Sequence, residues 1–143
     1  MCIRDRDQVR LGGYGDRYRV SDMVFLDDQV GWATGDWQGV DIYHRGMFIV
    51  HTRDGGRTWT HQINHDSGAG SYSQGVWFVD DHNGWVDADP YLWRTRDGGE
   101  TWTRLEPSAK PYRVLRFADI DTGFGLNGVE LSLIHISEPT RPY

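Results

Sequence analysis

Apolar and polar residues alternate with a period of two through Tyr18–Leu26. Val20, Asp22 and Val24 fall on one face and Ser21, Met23 and Phe25 on the other, the signature of a strand. Asp27-Asp28-Gln29 follows, a polar run in which short acidic side chains can accept hydrogen bonds from their own backbone and turn the chain. Val30–Gly35 reads as a second strand, Met47–Thr52 as a third and Arg57–Ile63 as a fourth. The pattern then restarts with Gly75–Val79, a turn at Asp80-Asp81-His82-Asn83, and strands at Gly84–Ala88, Tyr91–Thr95 and Thr101–Leu105. A third round opens at Val114–Asp119, with Gly123-Phe124 where the earlier rounds have Gly31-Trp32 and Gly84-Trp85. Upstream, Val9-Arg10-Leu11 before Gly12-Gly13-Tyr14-Gly15 reads as the closing strand of a preceding unit. No stretch keeps an apolar i, i+3, i+4 spacing, and glycines interrupt every candidate helix. The class is all-β.

The rounds are copies of one another. Thr52-Arg53-Asp54-Gly55-Gly56-Arg57-Thr58-Trp59-Thr60 returns as Thr95-Arg96-Asp97-Gly98-Gly99-Glu100-Thr101-Trp102-Thr103, differing only at Arg57 against Glu100. Phe25 aligns with Phe78 and with Phe117. Four short strands in a repeat of roughly 40 residues describe a propeller blade. The expected architecture is therefore a fragment of a β-propeller, about two and a half four-stranded blades, at about 18–65, 73–106 and 112–130, the last incomplete. Phe78 precedes Thr95 by 17 residues, and the same offset from Phe117 points to position 134, where no such turn is written. Blades bury one face against a neighbour, so the fragment on its own is expected to be poorly soluble or partly molten.

Both ends read as foreign to this pattern. Residues 1–6 and the start of residues 131–143 permit codons that are reverse complements of each other and look like translated sequencing adapter, which leaves 7–130 as the propeller part. The only cysteine, Cys2, lies in the first of these segments, so a disulfide or thiolate site is not expected. The net charge of −6 argues against a partner that offers a phosphate backbone, such as nucleic acid. No apolar run approaches the ~20 residues of a membrane span.

Ser/Thr-x-Asp-x-Gly-x-Thr-Trp is the Asp-box, and Thr52–Trp59 and Thr95–Trp102 satisfy every defined position of it. Together with Phe-x-Asp and Gly-Trp upstream, the pattern resembles the bacterial repeat family related to the photosystem II assembly and stability factor. The resemblance implies a propeller, a non-catalytic role in binding protein or other ligands, no cofactor, and export from the cytoplasm. It also implies an arginine-lined docking patch, which does not map onto particular positions here. In this reading Thr52, Asp54, Gly56, Thr58, Trp59, Thr95, Asp97, Gly99, Thr101 and Trp102 are structural. The aspartates accept N–H groups of their own turns, the glycines supply positive φ, the threonines start the next strands, and each indole covers a turn while its N–H finds a partner. Sialidases and xyloglucan-degrading enzymes also carry Asp-boxes, so a glycoside hydrolase is the competing class. It would need two carboxylates across a cleft or an arginine cluster on the substrate carboxylate, and neither is evident.

Candidate binding residues come from a difference between the copies. The first unit is ten residues longer between Phe25 and Thr52 than the second between Phe78 and Thr95, and the extra loop is roughly Asp36–Gly46. Asp36, Trp37, Asp41, Tyr43, His44 and Arg45 combine aromatic, acidic and basic groups suited to a sugar or peptide; the alternative is an extended hairpin that shields an edge or contacts a neighbouring blade among the missing ones. His61 and His65 have the i, i+4 spacing of helical metal ligands but lie in a strand. The offsets of a calcium loop are missing around Asp80-Asp81-His82-Asn83 and Asp87/Asp89, so no metal is expected. Arg94 and Arg96 read as surface residues flanking a strand.

Overall fold

A computed structural model describes residues 17–39, 44–66, 73–88, 91–105, 114–126 and 131–135, and within them there is no helix. The first sheet runs β1 (Arg17–Phe25), β2 (Gly31–Gln38), β3 (Arg45–Thr52) and β4 (Thr60–Asp66) in chain order, all antiparallel. The second runs β5 (Ser73–Phe78), β6 (Gly84–Ala88), β7 (Tyr91–Thr95) and β8 (Thr103–Leu105). The third has β9 (Val114–Phe117), β10 (Thr122–Leu126) and β11 (Leu131–His135), with β10 in the middle. β5 packs against β1 and β2, and β9 against β5, so the sheets stand side by side in sequence order like blades. The adapter-like residues 131–135 occupy the third-strand place of the last sheet.

Each sheet is started by the same two devices. The first is an aspartate turn: Asp27 Oδ1 accepts the N–H groups of Gln29 (2.8 Å) and Val30 (2.7 Å). Asp80 does so for His82 and Asn83 at 2.8 and 2.6 Å, and Asp119 for Asp121 and Thr122 at 2.9 and 2.8 Å. The second is a phenylalanine ring laid over a glycine on the neighbouring strand. A Cβ at Gly31, Gly84 or Gly123 would lie 2.7, 2.5 or 2.8 Å from the rings of Phe25, Phe78 and Phe117, so only glycine fits beneath them.

The main core lies between the first and second sheets. Trp32, Met47 and Ile49 from one side meet Val76, Phe78, Val86 and Ala88 from the other. A smaller cluster of Ala33, Phe48 and Val50 lies on the opposite face of the first sheet, beneath Tyr18, Trp37 and Trp59 of the same sheet.

Three expectations about strands are corrected. The register shifts between Val20 and Asp22, which pair with the consecutive residues Gly35 and Thr34. This bulge puts Val20 on the face of Met23 and Phe25, opposite Asp22 and Val24, because one extra residue breaks the alternation. The Asp36–Gly46 insertion is not all loop: the ladder continues through Asp36↔Met47, Trp37↔Gly46 and Gln38↔Arg45 and draws much of it out as a hairpin. Finally, β4 and β8 begin at Thr60 and Thr103, because Thr58 and Thr101 are held in the preceding turns.

Candidate functional site

The repeated turn is built from the threonine and aspartate side chains. Thr52 Oγ1 donates to Asp54 Oδ1 (2.8 Å) and accepts the N–H of Gly56 (2.9 Å). Asp54 closes the turn by accepting the Thr58 N–H at Oδ1 (2.8 Å) and the Thr58 hydroxyl at Oδ2 (2.6 Å). Thr95, Asp97, Gly99 and Thr101 repeat the set, the hydroxyl of Thr101 reaching Asp97 Oδ2 at 2.5 Å. Both glycines of each turn have positive φ, 68° and 85° at Gly55 and Gly56 and 72° and 94° at Gly98 and Gly99. The N–H groups of Gly55 and Gly98 bond to Gln29 O and His82 O, each at 2.9 Å, tying the turn to the aspartate turn of its own sheet. Trp59 Nε1 donates to Gly56 O (3.1 Å), whereas Trp102 Nε1 is buried without an acceptor, contrary to the expectation for both indoles.

These bonds fix the chemistry of the aspartates. The hydroxyl and then the N–H of Thr58 hold the Asp54 carboxyl down at about 2, and Thr101 does the same for Asp97, also about 2. A glycosidase acid needs a carboxyl raised above its ordinary value. Asp54 and Asp97 are shifted the opposite way, and they sit in different sheets.

Between the first and second sheets lies a stack that sequence reasoning missed. Phe78, Trp32 and His51 lie in parallel, with centroids 3.6 Å apart for Phe78–Trp32 and 4.6 Å for Trp32–His51. Trp32 Nε1 donates to Gly98 O of the second sheet's turn (3.1 Å), which also accepts Gln62 Nε2 (3.0 Å). The next junction repeats the order: Phe117 stacks on Trp85 at 4.0 Å, and the Arg94 guanidinium lies 5.4 Å from the Trp85 ring centroid. Arg94 is therefore buried rather than a surface residue, and its Nη2 donates to Ile120 O of the third sheet (2.9 Å), while Arg96 is exposed. The signal was present in the repeat: Arg94 follows the second copy's Gly-Trp strand at the position that His51 holds in the first.

Beside the stack, a cleft of about 420 Å³ opens between the two turns, with Arg53, Thr60, His61 and Glu100 among its lining. Burial, and then the nearby Arg53, push the His51 imidazole below its ordinary value, against a weaker upward pull from Glu100. Arg53 and Glu100 face each other at 3.8 Å, both mostly exposed, an arrangement worth little energy.

The hairpin residues are brought to one end of the first sheet. Asp36 accepts Arg19 Nη2 at Oδ2 (2.8 Å) and the Ser73 N–H at Oδ1 (2.9 Å), so it joins the first two sheets. Trp37 packs on the smaller cluster, with its Nε1 buried and unpartnered, and exposed His44 bonds through its carbonyl to Gly39 N (2.8 Å). Arg45 is half-buried opposite Gln38. Asp41, Tyr43 and Asp89 lie outside the described residues. His61 and His65 pair with Val50 and Met47, three residues apart, which puts the two positions on opposite faces of the sheet. Asp80, Asp81 and His82 offer ligand atoms within 4.8 Å of one another, but Asp80 already accepts two backbone N–H groups and the Asn83 amide.

No protein-family model and no curated protein matches the chain. Among solved structures it is similar to YCF48, a photosystem II assembly factor, bound to a D1 peptide. That likeness has a TM-score of 0.61 and 21% identity, over 87% of this chain and 42% of that one. YCF48 from Cyanidioschyzon merolae matches with the same TM-score of 0.61 at 22% identity, over 82% of this chain and 34% of that one. The chain has the fold of part of a β-propeller. Its three sheets are blades, spanning less than half the length of either YCF48 chain. β1, β5 and β9, the first strands of the three sheets, contact one another in succession.

Proposed function

We propose that this propeller segment belongs to a non-catalytic scaffold that binds a protein ligand, in the manner of photosystem II assembly factor-like repeat proteins. The observation that carries the reading is the likeness to YCF48, one structure of which holds a D1 peptide. The chemistry of the turns supports it. Asp54 and Asp97 spend their carboxylates on the threonine hydroxyl and N–H groups of their own turns, which favours a structural use of these acids over a catalytic one.

The hairpin beyond Asp36 is the ligand-contacting element in this reading. It extends past the length of its counterpart in the second blade, carries Trp37 and Arg45 on the ladder with His44 just beyond it, and offers mixed polar and aromatic groups suited to a peptide. A fluorescently labelled D1 peptide titrated with the chain tests it. Saturable binding that weakens at least several-fold in a His44→Ala, Arg45→Ala double variant is the expected result. Absence of binding by the unaltered chain, or affinity unchanged in the double variant, would overturn the assignment.

A further inference from the structure

The two copies of the nine-residue turn differ at one position, and that position faces a cleft. Glu100 stands where the first copy has Arg57. With Arg53 of the other turn it lines the opening of about 420 Å³ between the first and second blades. Arg53 Nη2 and Glu100 Oε1 are 3.8 Å apart, too far for a hydrogen bond, and their side chains are 73% and 72% exposed. Both charges are therefore open to a ligand. The wall behind them is polar and incompletely satisfied. His51, 8% exposed, is the last ring of the stack on Trp32 and lines the cleft, and its Nε2 has no hydrogen-bond partner. Gln62 gives its Nε2 to Gly98 O, which leaves Oε1 buried against Gly99 without a donor. Unpaired polar groups cost free energy when buried, and the next junction does not repeat them. It carries Arg94 and Leu105 at the positions of His51 and Gln62, and Arg94 reaches Ile120 O.

We propose that this cleft binds a free α-amino acid as its zwitterion, bridging the first two blades. The planar fork of Arg53 takes the carboxylate, for which two parallel N–H···O bonds are suited. Glu100 takes the ammonium, whose N–H groups are donors only, and the acceptors still unpaired in the wall lie on the same side of the junction as Gly99. A simple anion would be repelled by Glu100 and a simple cation by Arg53. A ligand that carries both charges on neighbouring atoms replaces one weak exposed contact by two charge-assisted ones. The opening is of the size of small-molecule sites and leaves room for a side chain. β3 runs from the Asp36–Arg45 hairpin to the first turn, so this site and the hairpin lie at opposite ends of the sheet.

Titration calorimetry of the unaltered chain with glycine, L-serine and L-glutamine should show saturable binding of at least one of them. The methyl ester and the N-acetyl form of that amino acid each lack one charge and should bind about tenfold more weakly. Arg53→Gln and Glu100→Gln should weaken the zwitterion to a similar degree. In Arg53→Gln the methyl ester should no longer be penalised, and in Glu100→Gln the N-acetyl form should no longer be. No binding of any of the three at about 10 mM would overturn the proposal. So would blocked forms that bind as tightly as the zwitterion, affinity unchanged in both variants, or glucose bound as well as the amino acid. Near-ultraviolet circular dichroism of the tryptophan stack establishes that the variants are folded. Should either be unfolded, the comparison of free and blocked amino acids on the unaltered chain decides. The D1 peptide titration reads the hairpin separately, so either result stands without the other.

Discussion

Asp97 and His51 show opposite ways in which single residues respond to acid. The threonine hydroxyl and N–H groups of their turns lower the Asp54 and Asp97 pKa values from 3.8 to about 2. An unfolded chain therefore takes up these protons first as pH falls. The stability they contribute is whole above 3.8 and drains away as pH falls towards 2. His51 is also shifted down from 6.5, but by burial, so the neutral ring is the folded form and its contribution is lost as pH falls below 6.5. Urea midpoints measured from neutral pH down to about 2 should fall in two steps. His51→Asn should remove the first step, and Asp97→Asn should shrink the second. A midpoint constant between 6.5 and 3.8 in the unaltered chain would contradict the role given to His51. At this scale the turn residues were legible because the motif names its own hydrogen bonds. Arg94 was not, because an arginine in a strand looks like a surface residue until the ring it covers is known. It is tolerated there because it reaches Ile120 O and, at 4.0 Å, Asp121, whereas His51 at the same repeat position is kept neutral.

Strands and turns repeat more faithfully than the bonds between them, and the mismatch gives a test. Trp32 Nε1 bonds to the glycine carbonyl of the next blade's turn, but Trp85 Nε1 is buried with no acceptor. The sequence after β11 carries no Thr-x-Asp-Gly-Gly turn to supply one. Trp→Phe removes similar ring volume at both sites. At Trp32 it also removes a satisfied donor, and at Trp85 an unsatisfied one. Trp32→Phe should therefore destabilise the chain more than Trp85→Phe, by about 1–3 kcal/mol in a chemical unfolding series. Equal losses would mean that the indole bond to Gly98 contributes nothing. Period-two alternation located the strands of both complete blades, yet it could not report the bulge at Ser21. One residue set out of register inverts the faces on one side of it, and neither its propensity nor its polarity marks the place. The extension of the ladder to Asp36–Gln38 and Arg45–Met47 was legible only as an alternative to a loop, for a related reason. Asp, Gln and His weaken the strand signal, while pairing across Trp37 and Gly46 and packing of Trp37 on the smaller cluster extend the ladder all the same.

At the scale of the whole molecule, stability is divided among blades and the junctions between them, because each blade touches only its neighbours. The junctions are unequal. The first holds Trp32, Met47 and Ile49 against Val76, Phe78 and Val86, and it is crossed by hydrogen bonds at Gly98, Ser73 and Asp22. Among the described residues, the second rests mainly on Trp85 against Phe117 and on Arg94 reaching Ile120. Among the described residues, this is the junction that holds the third blade. Native-state hydrogen exchange should resolve this difference between the junctions. The comparison is fair between β3, β6 and β10, since each is a central strand bonded on both sides. Amides of β3 and β6 should exchange slowly and together, through opening of the first two blades as a unit, and those of β10 distinctly faster. Uniform protection across the three strands would mean that the third blade is held as firmly as the others.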